Sequence, residues 1–140
     1  MNQIIFPHEL TVDFRDAARN IGTTIRVHTG AAVFREGDAP DNMYIILNGA
    51  IDISSQGVLV ESIGPCDSLG VVGLLDGKPR ATTATVTKDA ELAVINRKNF
   101  RFMVEALPNF VWYVMAELVD RLRATDAALD METARRLSRA

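Results

Sequence analysis

The chain is short of the residues that make disulfides, hold metals or attract nucleic acid. One cysteine, Cys66, stands among 140 residues. It forms no internal disulfide, and with no charged or histidine neighbour in sequence that would activate it, it reads as a neutral loop residue, not a redox centre. No apolar run approaches the length of a membrane span. The start, Met1-Asn2-Gln3-Ile4-Ile5-Phe6, lacks the basic residues and long apolar stretch of a signal peptide. Positive charge is also short: 15 Lys and Arg against 18 Asp and Glu leave a net charge of −3, with no general attraction to DNA. These absences predict a cytoplasmic location and no membrane contact.

What is present suits one globular domain over 1–140, with hydrophobic residues at 48% and charged residues at 24%. The middle reads as strands. Thr23 to Val27 is β-branched and ends at Gly30. Val33-Phe34 precedes the turn Gly37-Asp38-Ala39-Pro40. Met43 to Leu47 is a buried strand candidate, and Asn48-Gly49 after it signals a hairpin. Ala50 to Ser54 alternates Ile51 and Ile53 with polar neighbours. Gln56-Gly57 turns the chain into Val58 to Ile63, which ends at Gly64-Pro65. Short strands at regular spacing predict a mainly β fold, a double-stranded β-helix or jelly roll, over 23–96.

Helices bracket it. An N-terminal helical segment covers 1–22, with Leu10, Phe14, Ala17 and Ala18 at helical spacing between His8 and Arg19. Asn96 is a good N-cap for a helix with Phe100, Met103, Val104 and Leu107 on one face, broken by Pro108-Asn109. A long helix then runs from Phe110 to about Leu137 within the C-terminal helical region 97–140. Its stripe Val111, Val114, Met115, Leu118, Leu122 and Leu129 is close to heptad spacing. Up to Leu118 the stripe is expected on the sheet; beyond it, against a second copy of the helix in a homodimer. Arg121, Arg123, Arg135, Arg136 and Arg139 read as a solvated face balanced by Asp120, Asp126, Asp130 and Glu132. Jelly-roll metalloenzymes need clustered histidines, and only His8 and His28 occur, so no metal is expected. With no nucleophile–histidine pair suggested either, the chain is not expected to be an enzyme.

The most informative stretch is Leu69 to Val86. Gly70 stands where a strand turns into a short helix, so the N–H groups of Val71 and Val72 point outward unpaired and the helix dipole favours an anion. Ten residues on, Pro79-Arg80 offers a guanidinium able to fork onto two phosphate oxygens. Lys78 reads as a turn residue that adds positive potential, and Asp76 is expected to point away from an anion. Ala84-Thr85-Val86 continues as a strand.

This stretch resembles the phosphate-binding cassette of the cyclic nucleotide-binding domains, with Gly70, Leu74, Leu75, Pro79 and Arg80 matching in place and spacing. Ala81 matches the kinase-type version, where alanine offers its backbone N–H. Gly30-Ala31 with 33–38, Asn42 to Gly49, and Glu91 to Ile95 resemble other motifs of the family, over roughly 20–126. The resemblance implies a phosphate on Gly70, Val71, Val72, Arg80 and Ala81, with Thr82 favoured over Thr83 for a further contact. Arg121 to Thr125 resembles the stretch of the catabolite activator protein in which a threonine bonds the adenine amino group. Thr125 thus reads either as a base contact compatible with adenine or as an exposed helical threonine.

One family residue is missing. The family carboxylate that accepts the ribose 2′-hydroxyl is replaced by Val71, which cannot accept. Losing part of a charge-assisted hydrogen bond costs about 1.5–3 kcal/mol, roughly 10- to 150-fold in affinity. The resemblance therefore implies a regulatory domain that senses a cyclic nucleotide, cAMP favoured over cGMP, with weakened ribose recognition and no other cofactor. The alternative is a ligand-free dimerisation or protein-interaction module with a vestigial pocket. The family's helix-turn-helix is not expected in this chain, nor is sequence-specific DNA binding. The output is expected through a partner protein or the chain's own dimer.

Overall fold

The computed structural model describes residues 13–139. The elements are α1 (Arg15–Ile21), β1 (Thr23–Val27), β2 (Ala32–Phe34), β3 (Asn42–Ser55), β4 (Val58–Ile63), β5 (Ser68–Leu69), α2 (Val71–Asp76), β6 (Thr83–Asn96), α3 (Arg97–Ala106) and α4 (Phe110–Arg139). The start of the expected N-terminal helix, with His8 and Leu10, lies outside the described residues; Phe14 and Ala18 are buried as its spacing predicts.

All strand pairs are antiparallel, and the long β3–β6 pair is the spine. At one end the order is β1–β6–β3–β5, and at the other β2–β6–β3–β4. The two halves close on one apolar cluster: Ile46, Leu69 and Leu92 from the first meet Ile51, Ile53, Ala84 and Val86 from the second. This is the jelly roll. Side chains alternate across a strand, so Met43, Ile45, Leu47, Ala93 and Ile95 face the other way, onto the helices.

The hairpin expected at Asn48-Gly49 does not form. β3 runs straight through that dipeptide, and the register against β6 shifts on both sides of it. Gly49 has φ +100°, and a Cβ there would sit 2.5 Å from Asp89 O and 2.6 Å from Ala90 Cα. The glycine thus serves a bulge and a close approach of two backbones, not a chain reversal. The hairpin lies at Gln56-Gly57, with φ of +50° and +80°, and joins β3 to β4.

The helices are seated by aromatics. Phe110 is fully buried, with its ring centroid 5.2 Å from Phe14 and 5.9 Å from both Phe100 and Tyr113. Asn96 caps α3, its side chain accepting from Asn99 N–H at 2.8 Å. After Pro108 and Asn109 (φ +70°) the axis bends by 119° into α4. α4 is unbroken for 30 residues, about 45 Å. Of the stripe expected on the sheet, Val114 and Leu118 join the core but Val111 and Met115 are exposed; the buried face is turned toward Phe110 and Tyr113, which pack with Phe14. The helix does not leave the barrel directly after Leu118: Ala124, Ala127 and Ala128 line a groove beside Val58, Leu59 and Val60 of β4, while Leu129 and Leu137 are exposed. The β3–β4 hairpin reaches far enough along the helix to meet the alanines, which strand lengths read separately did not reveal. No single described helix is long and apolar enough to cross a membrane.

Candidate anion-binding pocket

The cassette folds as a strand, a left-handed glycine and a single short helix. Gly70 is the N-cap of α2 at φ +85°, and a Cβ there would lie 2.9 Å from Arg80 Nη1 and 3.0 Å from Asn42 O. Only glycine both adopts the turn and leaves room for the guanidinium. Leu74 N–H bonds Gly70 O; the N–H groups of Val71 and Val72 precede the first intrahelical bond and have no acceptor in the helix. At the other end, Arg97 from α3 donates to Leu74 O at 2.8 Å, a cation on the negative end of a helix.

Arg80 is held from all sides and is 6% exposed. Its backbone N–H donates to Asp38 O at 2.9 Å, and its carbonyl accepts from Gly37 N–H at 2.8 Å. Nη1 donates to Gly70 O at 2.7 Å and Nη2 to Asn42 O. The guanidinium carbon lies 4.2 Å from the Phe34 ring centroid, a cation–π contact. Among the described residues no carboxylate pairs with Arg80, and its buried Nε has no partner. Burial lowers its pKa, yet arginine stays charged. A buried cation bonded to neutral carbonyls and lacking an anion is costly, and an anion in the adjoining cavity relieves that cost.

That cavity is about 360 Å³. Gly70, Val71, Val72, Arg80, Ala81, Thr82 and Thr125 all line it, so the residues singled out in the sequence converge on one space. Thr83 turns away, its hydroxyl bonded to Glu36. Val71 is 4% exposed and part of the core, so the wall here is apolar. Thr125 spends its hydroxyl proton on Arg121 O at 2.9 Å; its lone pairs remain available as acceptors.

Two residues, Asp76 and Arg121, depart from expectation. Asp76 lines the cavity instead of pointing away, its carboxylate accepting Lys78 N–H at 2.9 Å; α2 is too short to carry its last residue clear of the mouth. Lys78 lines the cavity too, in keeping with the positive potential expected of it. Arg121 is not on a solvated face. It pairs with Glu61 of β4, donates to Ser68 O at 2.8 Å and lines the cavity. Its place four residues before Thr125, one turn along the same face, is the sequence signal that pointed there.

A polar cluster ties α4 to the start of the cassette. Glu117 Oε1 accepts the backbone N–H of Ser68 at 2.7 Å and its hydroxyl at 3.0 Å. Tyr113 donates its hydroxyl to Cys66 O at 2.6 Å. Burial pushes the Glu117 carboxyl up to about 7, and it lifts the Tyr113 phenol well above its ordinary range. The Cys66 thiol is likewise raised by burial. Among the described residues no group of three His, Cys, Asp or Glu is placed to hold a metal.

Comparison with known proteins places these features. Residues 24–106 match the model of the cyclic nucleotide-binding domain. The chain is 36% identical over 73 residues to the cAMP-dependent protein kinase regulatory subunit of Yarrowia lipolytica, covering 52% of this chain and 20% of that one. It is 27% identical over 107 residues to the cyclic AMP receptor protein of Thermus thermophilus, covering 73% and 50%. The crystal structure of the catabolite activator protein of T. thermophilus superposes with a TM-score of 0.70 at 25% identity, over 92% of this chain and 61% of that one. The chain thus spans half or less of the length of these two curated relatives. Fold, cassette and family match agree: the chain belongs to the cyclic nucleotide-binding domain family.

Proposed function

We propose that this domain is a cytoplasmic sensor whose pocket binds one cyclic nucleotide, cAMP in preference to cGMP. The observation that carries this reading is Arg80, a buried guanidinium with an unmet Nε and no carboxylate partner among the described residues. Two of its five N–H groups are met by carbonyls; the others, with the N–H groups of Val71 and Val72, suit a singly charged phosphodiester. The preference for adenine rests on Thr125: a hydroxyl whose proton is already donated accepts from an amino group but offers nothing to the guanine carbonyl. No chemistry on the nucleotide is proposed; like the regulators it resembles, the domain acts by binding.

Val71 weakens ribose recognition in this reading. Competition of cAMP, 2′-deoxy-cAMP and cGMP against a fluorescent cAMP analogue tests both points. The 2′-deoxy compound is expected within about 3-fold of cAMP, because no carboxylate at residue 71 rewards the hydroxyl. cGMP is expected roughly 10-fold weaker, the worth of about one hydrogen bond. A 2′-deoxy penalty of 100-fold would contradict the first point, and equal cGMP binding the second. The same valine favours the second reading, a vestigial pocket on an interaction module, and failure of all three nucleotides to compete would select it.

Output is proposed through a homodimer along α4, with a partner protein as a further route. Val111, Met115, Leu122 and Leu129 are exposed at near-heptad spacing, the pattern of a helix seam. Leu122→Asp with Leu129→Asp is expected to halve the mass found by sedimentation equilibrium. A wild-type chain that sediments as a monomer at tens of micromolar contradicts the dimer.

A further inference from the structure

The cavity wall carries charge of both signs. Lys78, Arg80 and Arg121 line it with positive charge, and Asp76 lines it with negative. Arg121 is matched by Glu61 of β4. Asp76 ends α2, and Lys78 follows two residues on; both are exposed, and Asp76 Oδ1 accepts Lys78 N–H at 2.9 Å. Felt from inside the cavity, these two opposite charges offset each other. Arg80 alone is left over: it is buried, no carboxylate pairs with it among the described residues, and its Nε is unmet. Asp38 and Asp41 lie outside the lining. Burial lowers the Arg80 pKa, and Tyr44, Asp41 and Asp38 oppose that from a distance. We infer that Asp76 is a specificity residue: it holds the pocket to one unit of ligand charge, so that phosphodiesters are taken and phosphate monoesters are turned away.

A singly charged phosphodiester is neutralised by Arg80. A monoester ionises a second time near pH 6 and is doubly charged at pH 8. On entering, the second charge sheds its water and finds no second unpaired cation. It also meets the repulsion of the Asp76 carboxylate at the mouth. The bond to Lys78 N–H does not need that charge, because the amide oxygen of an asparagine accepts as well. Asp76→Asn therefore removes the charge and keeps the turn. A charge at this exposed position changes affinity by about 3-fold per unit of ligand charge in dilute salt. The factor applies once to a monoanion and twice to a dianion, about 3-fold and roughly 10-fold. One consequence rests on the nucleotide reading above. Adding water across one P–O ester bond of a cyclic nucleotide gives a monoester, so hydrolysis converts a ligand the pocket keeps into one it releases.

The test uses the full chain and two small probes, dimethyl phosphate and methyl phosphate, which carry neither base nor ribose. Amide NMR shifts of Gly70 and Ala81 read their binding at pH 8 in about 0.01 M salt. In the wild type, doubly charged methyl phosphate is expected to bind no more tightly than dimethyl phosphate. Asp76→Asn is expected to gain about 3-fold for dimethyl phosphate and roughly 10-fold for methyl phosphate, and Lys78→Gln to lose by the same factors. In about 1 M salt, where the screening length is about 3 Å, the variants should converge on the wild type. Equal gains for the two probes, gains that persist in high salt, or a wild type that favours methyl phosphate about 10-fold would each overturn the assignment. So would the absence of Arg80-dependent binding by either probe. cAMP against 5′-AMP is a separate arm, in which Asp76→Asn should narrow the gap about 3-fold. Absent cAMP binding, with the small probes behaving as expected, sinks the nucleotide reading and leaves the charge assignment standing. cAMP binding with an unchanged gap overturns the assignment and leaves the nucleotide reading.

Discussion

Arg80→Ala is expected to weaken cAMP binding at least about 30-fold while the domain stays folded. The guanidinium is the buried cation of the pocket, and Val71 and Val72 line the same cavity. Removing one partner of a buried, hydrogen-bonded charge pair costs about 2–5 kcal/mol, roughly 30- to several thousand-fold. Stability behaves differently. The substitution forfeits the bonds to Gly70 O and Asn42 O and the contact with Phe34, but it also removes an unpaired buried charge whose desolvation is costly. These nearly cancel, and water entering the cavity can serve the two carbonyls. The change in urea unfolding free energy is expected within about 1 kcal/mol. Arg80→Lys is expected to recover part of the affinity, since it restores a point charge without the fork. Equilibrium dialysis with labelled cAMP reads the affinities. Wild-type affinity in Arg80→Ala would remove Arg80 as the anchor.

Phe110→Ala is expected to be the most destabilising of the changes considered, by about 3–5 kcal/mol in urea unfolding. The ring is fully buried at the centre of Phe14, Phe100 and Tyr113, and it stands at the bend where α3 becomes α4. Against a domain stability of about 5–15 kcal/mol, that is a large fraction. The loss has a functional consequence, because α4 carries Arg121 and Thr125 to the cavity. Nucleotide affinity should fall even at temperatures where the variant remains folded. A loss below about 1 kcal/mol would mean that the aromatic cluster is not what seats α4.

The part of the site that is contiguous in the chain was legible in the sequence. From Gly70 to Thr82 the functional groups are fixed by local geometry: a left-handed glycine, one short helix and a Pro-Arg turn. The family's ordered motifs supplied the register, and Thr125 followed from its spacing to Pro108. Contacts between distant segments were not legible. Arg121 and Glu61 are 60 residues apart, and Glu117 and Ser68 are 49 apart; nothing local marks either carboxylate as a partner. Arg121 therefore passed for a solvated arginine. Asn48-Gly49 shows the same limit for the fold. The dipeptide permits positive φ in a hairpin or a bulge alike, and the continuous pairing with β6 decides for the bulge. Asp76 was misplaced because an electrostatic argument about an anion ignored how short α2 is.

Calorimetric titration of the full chain with cAMP tests the central claim most directly. Saturable heat with one nucleotide per chain, lost in Arg80→Ala, is the predicted result. Neither heat nor a rise in melting temperature up to millimolar cAMP would contradict it, and would leave a dimerising module that keeps the fold and its buried arginine without the ligand.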